Sequence, residues 1–306
     1  MELNWRRVAV GLTGVGLAGA AGALAAADLL PLWWWSEIWQ HPRPQLAVGS
    51  LICAVAWSLL IRLRWRWCSL LVPLWAVIGM LPALAGGAVR GDGPVLATLV
   101  TANVHSSNPD PAGAIIAICD LQADIVIVLE PDHGWSGPLQ ALRDAYPVRR
   151  EILRDDNFGI CAYARRGTIA VWQPEGVDVP GLVIRCDGIE VLGIHPPPPF
   201  SAKYHAWWQS ELTAVAAWSA SRPTAVVAGD LNATPWCSGF RRLCREGRLD
   251  GPGGLAAWLP TWMRGTPLAA PIDHVLLGPA LGMSGHVVGP DIRSDHQPVR
   301  VQLRRR

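Results

Sequence analysis

The sequence lacks the cysteine patterns of a zinc site or a disulfide scaffold. Its seven cysteines stand singly, and no two of them form a C-x-x-C pair. Structural zinc sites and small stapled domains both depend on closely spaced or evenly paired cysteines. The sequence therefore describes neither class, although one disulfide stays open if the domain lies in an oxidising compartment.

The chain also lacks a strong charge of either sign. Over residues 93–306 it carries 19 basic and 20 acidic side chains. Proteins that bind nucleic-acid backbones without sequence preference usually have a clear positive excess. The balance weighs against DNA or RNA as the main partner.

Charge is absent from three long apolar runs within residues 1–91. These runs span residues 8–27, 46–61 and 68–89. About 20 apolar residues are enough to cross the roughly 30 Å hydrocarbon layer of a bilayer. We therefore expect a membrane anchor of about three transmembrane helices at 1–91, followed by a polar domain at 92–306.

Two details of the anchor leave alternatives open. Pro73 and Pro82 interrupt the third run and predict a kink or break in its helix. Ala25 and Ala27 frame a small-residue pattern, so the first run also fits a cleaved signal peptide, although it is long for one.

Arginines predict how the anchor is oriented. Arg6, Arg7 and the Arg62–Arg66 loop fall on one side of the predicted helices, whereas the loop between the first two helices holds Arg43 alone. Cytoplasmic loops carry the excess of Lys and Arg. We expect a multi-pass protein of the cell membrane with its polar domain outside the cytoplasm.

The stretch Ala225–Pro235, AVVAGDLNATP, indicates where the chemistry lies. A short apolar strand is followed by Gly229, Asp230 and Asn232. Such a strand would deliver a carboxylate and a carboxamide to one edge of a sheet. The alternative is an ordinary Asx turn, which uses the same residue types.

Other predicted strands also end in polar side chains. Asn103 follows the strand at 96–101, Glu130 follows DIVIVL, and His195 follows the strand at 189–194 and precedes four prolines. Farther on, a strand at 272–277 has Asp273 near its start. Asp295 and His296 precede the closing strand at 299–303.

Gathered at one edge, these side chains would make an oxygen-rich cluster accompanied by two histidines. Carboxylate and amide oxygens suit Mg²⁺ or Mn²⁺ better than zinc. A metal that neutralises phosphate oxygens, beside groups that move protons, suits hydrolysis of a phosphate ester.

In this order and spacing, Asn103, Glu130, His195, GDLN, IDH and SDH resemble the endonuclease/exonuclease/phosphatase superfamily over about residues 96–303. The resemblance implies an α/β (α+β) four-layer sandwich, in which two packed mixed β-sheets are flanked by helices and the site lies at one end.

The resemblance also implies roles for the matching residues. Glu130 would hold the metal, helped by Asn103 and Asp295. Asp230 would position or activate water, and Asn232 would bind the phosphate.

For the histidines, the resemblance pairs His296 with Asp273, which makes His296 the leading candidate for the base. His195 would contact the phosphoryl group or act as the acid.

The apolar helices before the domain are similar to those of membrane-anchored bacterial members of this superfamily. We therefore expect a phosphoesterase that acts outside the cytoplasm on a lipid-linked phosphate ester, a pyrophosphate or a small phosphate-bearing molecule. The alternatives are an extracytoplasmic nuclease, for which Arg241, Arg242, Arg245 and Arg248 could form a local basic patch, and an inactive membrane-tethered binding module.

Overall fold

A computed structural model describes residues 5–30, 33–85 and 91–306. By contacts the chain divides into two compact units. The first comprises Met1–Pro82 with Trp236–Ser238, and the second comprises Ala83–Pro235 with Gly239–Arg306.

The first unit is helical. Its helices are α1 (Trp5–Leu29), α2 (Trp34–Gln40), α3 (Arg43–Leu60) and α4 (Leu71–Ile78), and α5 (Leu81–Ala85) follows. Three stretches are long and apolar enough to cross a membrane, namely Trp5–Leu29, Arg43–Leu60 and Arg66–Ala83. They coincide with the three runs expected from the sequence.

The third run is broken rather than straight. A 3₁₀ turn at Arg66–Leu70 leads into α4, which stops at Ile78 before α5 begins. Pro73 and Pro82 both lie in the first turn of their helices, where a missing N–H does no harm. Residues 86–89 of the predicted run lie outside the described residues.

Polar contacts join the helices within this unit. The Arg43 guanidinium pairs with the Asp28 carboxylate, and Trp75 Nε1 donates to Asp28 Oδ2 over 2.9 Å. At the opposite end, the Arg6 guanidinium donates to Leu60 O over 2.6 Å. Arg6 therefore lies beside the start of the Arg62–Arg66 loop.

The second unit alternates strands and helices. In chain order these are β1 (Val95–Asn103), α6 (Pro111–Asp120), β2 (Ile125–Leu129), α7 (Gln140–Ala145), β3 (Val148–Ile152), β4 (Ile160–Ala164), β5 (Thr168–Trp172), β6 (Gly181–Cys186), β7 (Ile189–Ile194), α8 (Ala202–Ala220), β8 (Ala225–Asp230), α9 (Ser238–Gly247), β9 (Asp273–Leu277), β10 (Leu281–Val288) and β11 (Val299–Arg305).

The strands form two mixed sheets. One has six strands in the order β10-β11-β1-β2-β4-β3, and the other has five in the order β5-β6-β7-β8-β9. Each contains one parallel pair, β1 with β2 and β7 with β8, among antiparallel neighbours.

The two sheets pack face to face through alternate side chains. Leu99 and Ile127 of the first sheet share a buried cluster with Val191 and Val226 of the second. Because successive side chains of a strand point to opposite faces, the neighbours of these residues point outward. On the outer face of the first sheet they pack against α6 and α7.

Helix α8 packs against β8 of the second sheet, and its Trp208 Nε1 donates to Leu231 O over 2.9 Å.

Local signals fix where the helices begin. The Asp110 side chain accepts from Gly113 N at the start of α6, and the Ser201 side chain accepts from Tyr204 N at the start of α8. The expected fold of two packed mixed sheets flanked by helices is confirmed.

Candidate active site

The carboxyl ends of β1 and β2 bring Asn103 and Glu130 together. The two strands are parallel and Asn103 pairs with Leu129, so Glu130 is the next residue along. Asn103 Nδ2 donates to Glu130 Oε1 over 2.8 Å. Strand pairing therefore places the amide and the carboxylate side by side.

Glu130 has a backbone conformation that side chains rarely adopt. Its φ is 66°, and the φ of Asn232 is 48°, both in the left-handed region. This region is uncommon for residues other than glycine, and such strain costs about 1–3 kcal/mol. The surrounding fold thus holds two predicted site residues in conformations that the chain would not choose by itself.

The second sheet contributes its own parallel pair. Gly229 lies in β8 with φ 148°, and a Cβ built there would stand 1.9 Å from Ile194 O. Only glycine lets the ends of β7 and β8 approach this closely. As a result His195, just past β7, faces Asp230, with 3.5 Å between His195 Nε2 and Asp230 Oδ2.

Asp230 Oδ2 is the point where both sheets meet. Asn103 Nδ2 donates to this oxygen over 3.1 Å, and the Nε2 atoms of His195 and His296 lie 3.5 and 3.6 Å from it. The other oxygen, Oδ1, accepts from Asn232 N over 2.8 Å. Asp230 is therefore buried, fixed at both oxygens and central to the cluster.

His296 and Asp273 form a buried pair beside Asp230. Strand β9 runs antiparallel to β8, and Asp273 at its start pairs with Asp230 at the end of β8. His296 Nδ1 lies 2.8 Å from Asp273 Oδ2. This contact fixes the ring so that its Nε2 faces Asp230.

Electrostatics in the metal-free site favour a charged His296. Burial alone would lower the pKa of His296, but the carboxylates of Asp273 and Asp230 outweigh it and raise the pKa to about 10. Burial alone would raise the pKa of Asp230, but the imidazoles of His296 and His195 bring it down to about 2. Asp230 is thus an ionised carboxylate beside the charged ring of His296.

The pKa values of His195 and Asp273 are also raised. Burial opposes protonation of His195, but a hydrogen bond to Asp230 and the charges of Asp230 and Glu130 raise its pKa above the ordinary value. Burial raises the pKa of Asp273, against the attraction of His296.

Asp295 stands apart from this cluster. Its side chain is 42% exposed, accepts from Trp262 Nε1 over 2.9 Å and lies 3.8 Å from His105 Nδ1. Within residues 91–306 no hydrogen bond joins its carboxylate to another predicted site residue. The remaining predicted residue, Asn232, donates from Nδ2 to Pro196 O over 3.0 Å, next to His195.

Two positioning residues were missed by the sequence analysis. Thr261 Oγ1 accepts from Ile272 N and Asp273 N over 3.3 and 3.1 Å, which anchors the start of β9. Trp262 holds Asp295. The dipeptide Thr261-Trp262 stands ten residues before the IDH motif, too far along the chain to give a local signal.

The donor atoms of this site fit a divalent cation. Asn103 Nδ2 donates to both Glu130 Oε1 and Asp230 Oδ2, and Asn103 Oδ1 accepts from His105 N, so two carboxylates and an amide lie around one point. Carboxylate and amide oxygens are the hard ligands that Mg²⁺ and Mn²⁺ prefer. Ligand atoms of Asp230, Asp273 and His296 also lie within 4.8 Å of one another, a second grouping that could hold an ion. We favour the first, because His296 is already engaged by carboxylates at both nitrogens.

The family model described as "Endonuclease/Exonuclease/phosphatase family" matches residues 100–296, from β1 to His296. This match covers more than half of the chain, and the protein belongs to that family. Members of the family are hydrolases that act on phosphoester bonds, and they generally use a divalent metal. The family expected from the motifs is confirmed.

Solved structures agree on the fold. An endonuclease/exonuclease/phosphatase from Beutenbergia cavernae is 19% identical with a TM-score of 0.54, covering 68% of this chain and 71% of its own. The 3′ phosphatase NExo from Neisseria, bound to a product DNA hairpin, is 18% identical with a TM-score of 0.53, covering 67% and 98%. A conserved protein of unknown function from Enterococcus faecalis is 12% identical with a TM-score of 0.53, covering 68% and 100%.

At this level of identity the likeness concerns the fold alone. No curated protein matches the chain.

Proposed function

We propose that the protein is a membrane-anchored, divalent-metal-dependent phosphoesterase that hydrolyses a lipid-linked phosphate ester or pyrophosphate outside the cytoplasm. The observation that carries the proposal is the convergence of Asn103, His195 and His296 on one carboxylate oxygen of Asp230. A carboxylate fixed in this way can position a water molecule, and a phosphoryl group bound beside it would lie within reach of the same donors.

In this proposal Glu130 and Asn103 hold the metal, and Asp295 assists from the exposed side. A bound Mg²⁺ or Mn²⁺ would polarise the phosphoryl group and neutralise its charge. Asp230 orients the attacking water, because its carboxylate is ionised and both of its oxygens are held in place. This fixed geometry spares the reaction the entropy of arranging water and substrate.

The other polar groups act on the proton and on the phosphoryl oxygens. His296, held by Asp273, faces Asp230 across the site. Its raised pKa belongs to the protein without metal; a bound divalent cation would lower that pKa, so that the ring could take up the proton of the attacking water. His195 contacts the phosphoryl group or protonates the leaving oxygen. Asn232, fixed beside Pro196, donates to a phosphate oxygen.

The proposal of a lipid-linked substrate rests on the anchor. We propose that residues 1–91 anchor the chain and that residues 92–306 form the catalytic domain. Three stretches of the anchor are apolar enough to cross a bilayer, which would keep the domain close to phosphate-bearing lipids.

The orientation rests on the arginines. Arg6 contacts Leu60, so the N-terminal arginines and the Arg62–Arg66 loop lie at the same end of the helices. The positive-inside rule assigns that end to the cytoplasm. An odd number of crossings then leaves the catalytic domain outside.

A substrate panel tests the activity. The full-length protein in detergent would be assayed with Mg²⁺, with Mn²⁺ and with a chelator, on prenyl pyrophosphates, phospholipids, inositol phosphates and DNA. We expect metal-dependent release of phosphate or of a phosphorylated head group from a lipid. Cleavage of DNA alone would instead support the nuclease alternative, to which the family also lends itself because NExo was solved with a DNA product.

The inactive-module alternative has its own test. Asp230→Asn and His296→Ala would leave every function of a pure binding module unchanged. Labelling of single-cysteine variants from outside intact cells tests the location, and protection of residues 92–306 from the reagent would contradict it.

A further inference from the structure

A row of aromatic rings leads away from His195 toward the surface. The Phe158 ring lies 5.8 Å from the His195 ring, and Tyr204 meets Phe158 edge-on at 6.3 Å. Trp207 continues the row at 5.9 Å from Tyr204, and Lys203 Nζ lies 4.4 Å above Trp207. We call Phe158, Tyr204 and Trp207 the aromatic shelf.

The shelf has a rigid base. Phe158 is buried in a cluster with Val177 and Val179. Tyr204 and Trp207 lie in the first turns of α8, which the Ser201 cap fixes in place. Rings held in this way lose little entropy when something binds against them.

The outer part of the shelf is open to solvent. Tyr204 and Trp207 are half-buried, Lys203 is exposed, and Phe200, which directly precedes the helix cap, is 64% exposed. The loop carrying Phe200 starts at Pro196, whose carbonyl accepts from Asn232. An apolar surface that is continuous with a catalytic histidine is where the non-phosphate part of a substrate would lie.

Charge distinguishes an apolar chain from a nucleic acid as the occupant. Strands of nucleic acid are held by several free cations along a groove, with bases stacked on aromatic rings. Here Lys203 is the cation that lies against the shelf, and residues 93–306 carry 19 basic against 20 acidic side chains, so they have no positive excess. Arg154 lies near Glu130, since its backbone N–H donates to Pro131 O, but its guanidinium is already paired with the carboxylates of Asp156 and Asp178.

We propose that Phe158, Tyr204 and Trp207, with Phe200 at the edge, form the subsite for the hydrocarbon chain of a lipid phosphate substrate. Lys203 lies over the outermost ring, at the end of the subsite farthest from His195. This proposal rests on the proposed phosphoesterase function and names the part of the chain that selects the lipid.

Equilibrium binding tests the subsite separately from turnover. The full-length protein carrying Asp230→Asn, which prevents hydrolysis, would be titrated in detergent with farnesyl pyrophosphate, dimethylallyl pyrophosphate and a single-stranded oligonucleotide. The two pyrophosphates share a head group and differ in chain length. We expect farnesyl pyrophosphate, which has the longer chain, to bind more tightly. Trp207→Ala should weaken its affinity roughly tenfold, because contact with about two methylene groups is lost. The affinity for dimethylallyl pyrophosphate should change little.

The chain offers a matched control on the same helix. Trp218 is half-buried on α8 with Arg222 5.1 Å above its ring, as Lys203 lies above Trp207. Trp218→Ala should leave both dissociation constants unchanged. Phe200→Ser removes a largely exposed side chain and gives a second variant whose folding is not at risk.

Three results would overturn the subsite. The first is that Trp207→Ala weakens the binding of both pyrophosphates equally. The second is that Trp218→Ala weakens the binding of farnesyl pyrophosphate as much as Trp207→Ala does. The third is that Trp207→Ala weakens the binding of the oligonucleotide and not that of farnesyl pyrophosphate. Failure of the wild-type protein to hydrolyse any phosphate ester would refute the proposed function instead, and the binding results would still decide the subsite.

Discussion

His296 Nδ1 lies 2.8 Å from Asp273 Oδ2, and this buried contact turns the other ring nitrogen toward Asp230. The pair joins the start of β9 to the segment before β11, so it connects the two sheets at the site. A carboxylate behind an imidazole sets which nitrogen carries the proton and stabilises the charged ring.

Asp273→Asn should lower kcat by about 10²–10⁴, the usual range for disabling a proton-transfer group. The amide can still accept from the ring but brings no charge, so the pKa of His296 should fall from about 10 toward 6.5. Titration of carbon-labelled histidine by NMR, in metal-free full-length protein, measures that pKa. An unchanged pKa would show that Asp273 does not hold the ring.

The same pair has a consequence for stability. Because the pKa of His296 is raised in the fold, protonation of the ring stabilises the metal-free protein fully below pH 6.5. That stabilisation is lost as the pH rises toward 10. His296→Ala should therefore flatten this part of the curve of melting temperature against pH.

Glu130→Gln tests the metal site. Loss of a residue that only supports a metal ligand typically costs 10- to 100-fold in metal affinity. Glu130 is proposed to bind the metal directly, so its replacement by an amide should raise the Mg²⁺ concentration needed for activity by more than that. Calorimetric titration with Mg²⁺ measures the affinity directly. Glu190→Gln, at the start of β7 and therefore the far end of the second sheet, is the matched control. Equal Mg²⁺ affinity in the two variants would refute the assignment of Glu130.

Gly229→Ala tests the close approach of β7 and β8. A methyl group there meets Ile194 O at 1.9 Å and also requires a strained φ, so we expect a loss of about 3 kcal/mol or more in unfolding free energy. Gly176, with φ 76° and open space around it, is the control, and Gly176→Ala should cost only about 1 kcal/mol. Melting temperatures of the two variants compare the effects, and equal losses would mean that the contact with Ile194 is not tight.

The buried carboxyl of Glu211 on α8 should make the stability of the fold depend on pH in a second way. Both of its carboxylate oxygens are buried without a hydrogen-bond partner among the described residues, and burial raises its pKa to about 8, against the attraction of His195. The folded protein then holds a proton that the unfolded chain releases near pH 4.5. Stability should fall by about 1.4 kcal/mol per pH unit between these values.

Glu211→Gln removes this titration. The variant should gain stability over the wild type as the pH rises from 5 to 8, measured as melting temperature against pH. Glu246→Gln, at an exposed position of α9, should leave the curve unchanged. Parallel curves for Glu211→Gln and the wild type would show that the Glu211 carboxyl ionises normally.

The sequence predicted the strand ends that carry the site because each is a buried apolar run with a polar residue behind it. Strand β2, IVIVL, is buried throughout and stops immediately before Glu130. Strands β1, β7 and β8 follow the same pattern, so Asn103, His195 and Asp230 stood out. The pairing of these strands into two sheets came only from the family resemblance, since partners distant along the chain leave no local signal.

The two edge strands of the six-stranded sheet escaped detection for a physical reason. Strand β3 reads VRREI and β10 contains two glycines and an irregularity in its pairing between Ser284 and Val287. Edge strands have one free side, and charges or bulges there prevent unwanted pairing. Such sequences have neither the apolar run nor the alternation that marks an inner strand.

Local geometry in the site was equally out of reach. The left-handed backbone at Glu130 depends on contacts such as Glu130 N to Gly159 O, 2.9 Å, which join distant segments. Thr234-Pro235 reads as the start of a helix, but α9 begins only at Ser238. Thr234 is buried in the loop after Asp230, so tertiary packing overrides the capping signal.

The central claim is that Asp230 organises a metal-dependent phosphoesterase site. The direct measurement is kcat/KM of the full-length protein on a lipid pyrophosphate, with Mg²⁺ and with a chelator, for the wild type and for Asp230→Asn. We predict activity that requires the metal and falls at least 10²-fold in the variant, while the melting temperature shows that the variant is folded. Equal activity of folded Asp230→Asn and the wild type would contradict the account.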